Sequence, residues 1–420
     1  MAIDFTLTPE QLKLQADARA FAQNVLSGVR PAMAGHDRPE QRFFATKPFF
    51  DQVAEAGFIH ALLPTEYGGA GFSNIDLAIA AEELMAVDVS VPSTMLAVGL
   101  GLQPLLLHGT HEQKQRFLPD IVADPANRLA ALAFSDVGGA ANFDCPDPGA
   151  GMQTFAHREG DEWVINGRKQ YTTNGSGWDG KGAHLFSVVC RADEAGNRDV
   201  PPQESLAIIM VPGNTPGIEI VGYHDSPGHR GVVSPIMHFN NVRVPLGHIL
   251  GQPGDGIEIK YKTFSWTAGL IGAACVGVMR AAFEFAHDFC TTQKRGGAVP
   301  VIDHQNAGYM LVDMKTRLEA CRYMAWKACV ELDRTHGAAE ELPTMTKIFA
   351  SETCVQVVYD AMRLVGVDSY TDTTPLAGLL QDALCFPVYD GGNMGIRRRR
   401  LHELMRRDGY DPMATVLGEA

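Results

Sequence analysis

Toward the C-terminal end of this sequence stand Tyr389, Asp390, Gly391, Gly392 and Asn393, with Arg397 seven residues beyond the aspartate. A carboxylate on a glycine-softened turn can take a proton from carbon if its surroundings are dry, and a nearby guanidinium would hold it ionised. Seven residues make about two helical turns, so Arg397 and the chain entering at Asp390 can share one face. An isolated aspartate, with a pKa near 3.9, is a feeble base. Proton abstraction by Asp390 therefore demands desolvation, which Arg397 opposes. The competing reading makes Asp390 a cap for the following helix.

Other chemistry-bearing patterns are weaker. The run Gly175-Ser176-Gly177-Trp178-Asp179-Gly180 matches the dinucleotide fingerprint letter for letter. That fingerprint needs a helix N-terminus next, whereas a strand-like run, His184 to Val189, follows here, so a Rossmann phosphate loop is rejected. Arg397 to Arg400 is a dense basic run whose plain reading is a helix face that pairs with subunit neighbours. The eight cysteines stand singly, without a Cys-x-x-Cys pair, and indicate neither a zinc site nor a disulfide framework.

The elements that would position these residues fall into three zones. A chain of 420 residues is long for one core. Residues 1–127 read as helical, with Thr8 capping a helix that opens at Pro9 and runs to about Leu26. Residues 128–250 carry short β-branched and aromatic runs: Trp163-Val164-Ile165, Phe186 to Val189, Leu206 to Val211 and Ile236 to Phe239. The polar stretch Ala192 to Glu204 reads as a surface loop. In residues 251–420 the helical period returns, with seams at Leu311, Met314, Leu318, Cys321, Ala325 and Ala328, then Ala350, Cys354, Val357, Ala361 and Leu364. The fold class is α+β, mostly α, and the helical–β–helical order excludes βαβ alternation.

Composition narrows the partners. Apolar content of 45% and charged content of 20% describe a globular protein, and a net charge of −14 argues against nucleic acid. Val89 to His111 is long enough to span a membrane but is interrupted by Pro92, Gln103, Pro104 and His108, while Phe264 to Met279 is too short. Buried core helices explain both better, so no membrane partner is expected. Met1 to Phe5 has no basic start, and a cytoplasmic protein is the expectation.

The segment around Asp390 resembles the catalytic turn of the acyl-CoA dehydrogenase superfamily, Tyr-Glu-Gly-Thr followed by an arginine, with Asp in place of Glu. The aspartate is the mark of the superfamily's nitroalkane oxidase branch. Leu384-Cys385-Phe386-Pro387, Asn174 to Ala183 and Val188-Val189-Cys190-Arg191 resemble that branch as well. Leu63 to Gly71, Gly109 to Lys114 and Phe239 to Pro245 resemble the superfamily at large. The resemblance implies an N-terminal helical domain, a middle β-barrel domain and a C-terminal four-helix bundle that builds a homotetramer. It implies FAD, a small nitroalkane or similar substrate, and oxygen as the second substrate. Asp390 would be the base, Arg397 its partner, and Thr267 would stand where the branch has a serine bonded to the aspartate. Without that resemblance, a threonine in an apolar helix reads as a hydroxyl bonded to its own backbone.

The resemblance also assigns flavin contacts. Phe134, Ser135 and Asp136 fall where the family has one flavin-facing strand, and Tyr171, Thr172, Thr173 and Asn174 fall on the other, with Tyr171 replacing the family's tryptophan. Arg295 matches the arginine that reaches the cofactor pyrophosphate, and Gln305 the glutamine at its adenosine end. Gly366 lies in the turn near a neighbouring subunit's FAD, where Val367 and Asp368 replace the usual glycines. Gly391 and Asn393 are placed with the cofactor, beside the base. Three rival readings remain, one of them a related flavin oxidase acting on a biosynthetic nitro or amine intermediate. An acyl-CoA dehydrogenase that uses Asp would be reduced by acyl thioesters, and a DNA-associated flavoprotein would be retained on DNA at moderate salt.

Overall fold

The computed structural model describes residues 5–417. Seven described helices reach ten residues or more: α1 (Pro9–Asn24), α2 (Asn74–Met85), α3 (Ser90–His108), α4 (Gly256–Thr292), α5 (Gln305–Arg334), α6 (Glu341–Val365) and α7 (Leu376–Cys385). The strands are β1 (Ala130–Ala133), β2 (Phe155–Glu159), β3 (Glu162–Lys169), β4 (Leu185–Asp193), β5 (Leu206–Pro212), β6 (Ile218–Tyr223) and β7 (Pro235–Pro245). Helices, sheet and helices follow one another along the chain, as expected. At the start of α1 the Thr8 hydroxyl accepts from the Gln11 N–H, and the Gln11 amide returns to the Thr8 backbone. The helix stops at Asn24, just short of Leu26.

The sheet runs β1-β4-β2-β3-β7-β6, with β5 paired to the other side of β4. β4 pairs in parallel with β1 and β2 along one edge and antiparallel with β5 along the other. Every residue of β4 but its last is buried, which is why it reads as a continuous apolar run. Helix α3 lies directly against β1. A Cβ at Gly101 would come 2.5 Å from the Ala131 nitrogen, so only glycine permits that approach. The end of β1 carries Phe134 and Ser135, so this contact sets their place.

The stretch from Ala192 to Glu204 is more anchored than a surface loop. β4 extends through Ala192 to Asp193, and a short helix at Pro202–Ser205 buries Pro202 and Ser205. The buried Arg191 guanidinium donates to the carbonyls of Arg198 and Val200. The tip, residues 194–199, is exposed, as are Gln203 and Glu204 on the outer side of the short helix.

Helices α4, α5 and α6 pack on one another, and α7 packs against α6 and α4 to complete the bundle. The expected seam residues of α5 are buried, as are Ala350, Cys354, Val357 and Ala361 of α6; at the end of α6 it is Val365, not Leu364, that is buried. Helix α2 docks on α4 and α5 through largely buried ion pairs, Arg280 of α4 to Glu83 at 2.6 Å and Arg322 of α5 to Glu82 at 2.8 Å. Both α3 and α4 are long and apolar enough to cross a membrane, but 78% of each apolar window lies inside the protein. The apolar run noted at Phe264 to Met279 is the middle of a 37-residue helix.

Candidate active site

After α7 the chain turns sharply. Asp390 takes φ 50° and Gly391 φ 68°, two successive left-handed residues. Glycine adopts that region freely and aspartate is among the few side chains that tolerate it. Residues Asn393–Arg398 then form one wide turn of π-helix, with the Arg397 N–H donating to the Gly392 carbonyl at 3.3 Å. This corrects the expectation of two α-helical turns between Asp390 and Arg397. Such single wide turns concentrate at functional sites because they re-aim a side chain.

The geometry brings Asp390, Arg397 and Thr267 together. The Arg397 Nη2 donates to the Asp390 Oδ2 at 2.9 Å and to the Asp390 carbonyl at 2.8 Å. Its Nη1 donates to the Phe264 carbonyl at 2.8 Å. The Thr267 hydroxyl lies 2.8 Å from the Asp390 Oδ2, 3.1 Å from its Oδ1 and 3.0 Å from the Phe264 carbonyl. One hydroxyl hydrogen serves one strong bond, and the ionised carboxylate is the stronger and nearer acceptor, so the Thr267 hydrogen belongs to Asp390. The Asp390 and Arg397 side chains are each 3% exposed, so this charge pair is dry. Burial pushes the Arg397 guanidinium down from its ordinary range, against the pull of the Asp390 charge.

Behind the turn, the Lys347 amine on α6 donates to the Asn393 Oδ1 at 2.8 Å. Asn393, assigned to the cofactor from sequence, spends its amide on the Ser351 hydroxyl and the Glu352 carboxylate. Gly391 offers its carbonyl to the Arg397 Nε at 3.3 Å. A Cβ at Gly391 would meet the Arg397 Nε at 3.2 Å, so the close packing also asks for glycine.

The two strand ends expected to face a flavin are joined. The Gln170 N–H donates to the Ser135 carbonyl at 2.9 Å, and Asp136 bridges to Lys169. The buried Lys169 amine donates to the Asp136 Oδ1 at 2.7 Å and to the Phe134 and Val189 carbonyls at 2.8 and 2.6 Å. Phe134 meets Phe264 edge to face at 5.4 Å, and the Arg397 guanidinium lies 5.3 Å from the Phe264 ring. The strand ends therefore abut the Asp390 turn through one shared phenylalanine.

The residues at these ends fit a flavin. The half-buried Ser135 and Thr173 hydroxyls bond to nothing among the described residues. Thr172 Oγ1 and Asn174 Oδ1 are buried without partners. Tyr171, at φ 56° and 57% exposed, stacks on His224 with ring centroids 4.4 Å apart. A polar, ring-shaped group with donors and acceptors along one edge would use all of these.

Arg295, Gln305 and Gly366 lie outside this cluster. Arg295 is half exposed and pairs with Asp368 at 2.6 Å, next to Gly366. Gln305 bonds to the Tyr309 hydroxyl at 2.6 Å. None of the three bonds to the Asp390 turn. The sequence reading missed Lys347, Phe264, the Asp136–Lys169 pair and Lys260, whose buried amine has no hydrogen-bond partner and lies 3.6 Å from the Tyr261 ring centroid. A signal existed for both lysines. Lys347 falls on the buried three-and-four period of α6 with Ala350 and Cys354, and Lys260 shares its face of α4 with Phe264 and Thr267.

Three comparisons bear on this geometry. Residues 8–124, 146–242 and 254–405 match the N-terminal, middle and C-terminal domains of acyl-CoA dehydrogenase, respectively. The chain is 37% identical to a nitroalkane oxidase of Podospora anserina, covering 100% of this chain and 99% of that one. It is 35% identical to a nitroalkane oxidase of Fusarium oxysporum, covering 100% and 98%. Among solved structures, an active-site aspartate-to-asparagine mutant of nitroalkane oxidase, crystallised with 1-nitrooctane, superposes with a TM-score of 0.94. It is 34% identical over 99% of this chain and 100% of its own.

Proposed function

The chain belongs to the acyl-CoA dehydrogenase family, and on that premise we propose that it is an FAD-dependent oxidase of small neutral nitroalkanes. The observation that carries the reading is a dry carboxylate, Asp390, held on one oxygen by both the Thr267 hydroxyl and the Arg397 guanidinium. Oδ1, 3.1 Å from the Thr267 hydroxyl and without a bond from Arg397, is the freer oxygen, and it is the one that takes the proton from the carbon bearing the nitro group. Arg397 keeps a positive charge beside that carboxylate and ties it to the backbone of its own turn. Thr267 fixes the direction of the carboxylate. The nitro group supplies much of the carbon acidity, which is why a single aspartate suffices.

Ser135, Thr172 and Thr173 would hold the flavin edge, with Phe134 and Tyr171 against its ring. FAD supplies the electron acceptor, which oxygen restores with release of hydrogen peroxide. Nitroalkane, water and oxygen thus give aldehyde or ketone, nitrite and peroxide. The length of α4 from Phe264 to Met279 carries no charged side chain that could grip a CoA group, which favours the small substrate over an acyl thioester.

The reading extends to a cytoplasmic homotetramer whose FAD sites are completed by neighbouring subunits. Arg295, Gln305 and Gly366 would serve that shared site. The exposed Val367 and Tyr370, 76% and 83% accessible beside Asp368, are the kind of apolar surface a second copy covers. The test is to mix the purified protein, anaerobically and then in air, with nitroethane. Bleaching of the flavin followed by equal yields of nitrite and peroxide is the expected result. Reduction by an acyl-CoA thioester and not by nitroethane would overturn the reading.

A further inference from the structure

The Lys347 side chain is fully buried, yet no carboxylate bonds to its amine. Burying an ammonium without a counterion is unfavourable, so the position needs a reason. The Nζ donates to the Asn393 Oδ1 at 2.8 Å and reaches the Gly391 carbonyl at 3.4 Å. Both acceptors belong to the turn that carries Asp390. The same Gly391 carbonyl accepts from the Arg397 Nε at 3.3 Å, so two cations clamp one peptide of a double-glycine segment. Arg397 also touches the carboxylate; Lys347 touches only the backbone and the amide.

We propose that Lys347 is a positioning residue for proton abstraction, fixing the Gly391–Asn393 turn so that the Asp390 carboxylate stays aligned with Thr267 and Arg397. The inference rests on the reading of Asp390 as the base. Glycines at 391 and 392 leave this turn soft, and Asp390 is itself left-handed, so a small rotation of either peptide would carry the carboxylate away from its partners. Misplacement of a reacting group by about 1 Å can cost on the order of 100-fold in rate.

The charge state adds a second handle. Burial lowers the Lys347 amine to about 7, with the Arg397 charge adding to the shift and the Asp390 charge opposing it. The other titratable groups facing it are Cys275 on α4 and Cys385 at the end of α7. Glu352 stands near through Asn393, but it is engaged by Arg398 at 2.7 Å. As pH rises through about 7 the amine loses its proton, and the turn loses a charge-assisted donor.

The experiment compares flavin-loaded wild type and Lys347→Met by stopped-flow flavin reduction, using neutral nitroethane and its preformed nitronate across pH 5.5–9. Methionine fills the space without a buried charge. We expect kcat/KM for the neutral substrate to fall about 10- to 100-fold. Nitronate reduction, which needs no base, should stay within a few-fold. An inflection near pH 7 should be present in wild type and absent in the variant. Lys347→Arg should recover part of the loss. If Lys347→Met is recovered without flavin, Lys347→Gln replaces it, with an intermediate rate and no inflection expected. A loaded Met or Gln variant that keeps the wild-type rate on neutral substrate and the inflection overturns the proposal. So does an equal loss on both substrates, which would mark general damage. A wild type inert to nitroethane would instead bring down the functional reading on which the proposal stands.

Discussion

Asp390 meets Thr267 and Arg397 on the same carboxylate oxygen, which makes the charge and the direction of the base separable by substitution. Asp390→Asn suits the left-handed backbone at this position, so it removes the charge without straining the turn. Flavin reduction by a neutral nitroalkane should slow about 10²- to 10⁴-fold, and the preformed nitronate should restore it. Were Asp390 only a cap, the Asn variant would react at the wild-type rate. Thr267→Val keeps the shape and removes a donor to a charged acceptor, a change of about 1.5–3 kcal/mol, so kcat/KM should fall roughly 10- to 100-fold. Arg397→Lys should also slow the reaction, since a point charge cannot serve the Asp390 carboxylate and the Phe264 carbonyl at once. Asp390 and Arg397 are legible in sequence as an acid and a guanidinium on one turn, whereas Thr267 is legible only through the family resemblance, since a hydroxyl in an apolar helix otherwise reads as bonded to its own backbone. Lys347 is harder to read. Its place on a buried face shows in the spacing, but what it bonds to depends on a chain segment far along the sequence.

The strand ends depend on a buried pair. Burial alone would raise the Asp136 carboxyl, but the Lys169 charge and the Thr154 bonds bring it below its ordinary value. A depressed carboxyl contributes stability that is complete above its unfolded pKa of about 4 and is lost as pH falls through the folded value. Lys169→Met leaves that carboxylate buried and unpaired, and should cost about 3–5 kcal/mol, measured as a lower urea midpoint at pH 7. The loss should shrink below pH 4, where Asp136 takes up a proton. The strands most legible in sequence, β3, β4, β5 and β7, are apolar runs bounded by turn residues. β2 and β6 are partly exposed and polar, so their periodicity is faint. The parallel pairing of β4 with β1 and β2 leaves no mark in any one segment, since strand partners are chosen by the whole sheet. Helix seams are clearer, because each long helix repeats its buried face many times.

Across the whole molecule, Arg295 pairs with Asp368 and has no bond to the Asp390 turn, so its proposed cofactor role can be tested apart from the base. Arg295→Ala should weaken FAD retention about 10- to 100-fold, read by flavin fluorescence after ultrafiltration, with little change in melting of the apoprotein. Light scattering should give a tetramer for the yellow protein, and a flavin-loaded monomer would contradict the shared site. The helical–β–helical order is visible in composition alone. Assembly is not, because exposed apolar side chains such as Tyr370 look the same in a sequence whether water or another subunit covers them.

The wide turn at Asn393–Arg398 makes the length of this segment as informative as its letters. A wide turn amounts to one residue more than an α-helical turn would hold. A chain one residue shorter here could stack Arg397 over Gly392 at the ordinary pitch, but relaxing the present length to that pitch would swing Arg397 by about 100° around the axis. A chain so relaxed would keep every reactive side chain and lose their meeting point. In comparing relatives, then, a gap here deserves more weight than a substitution.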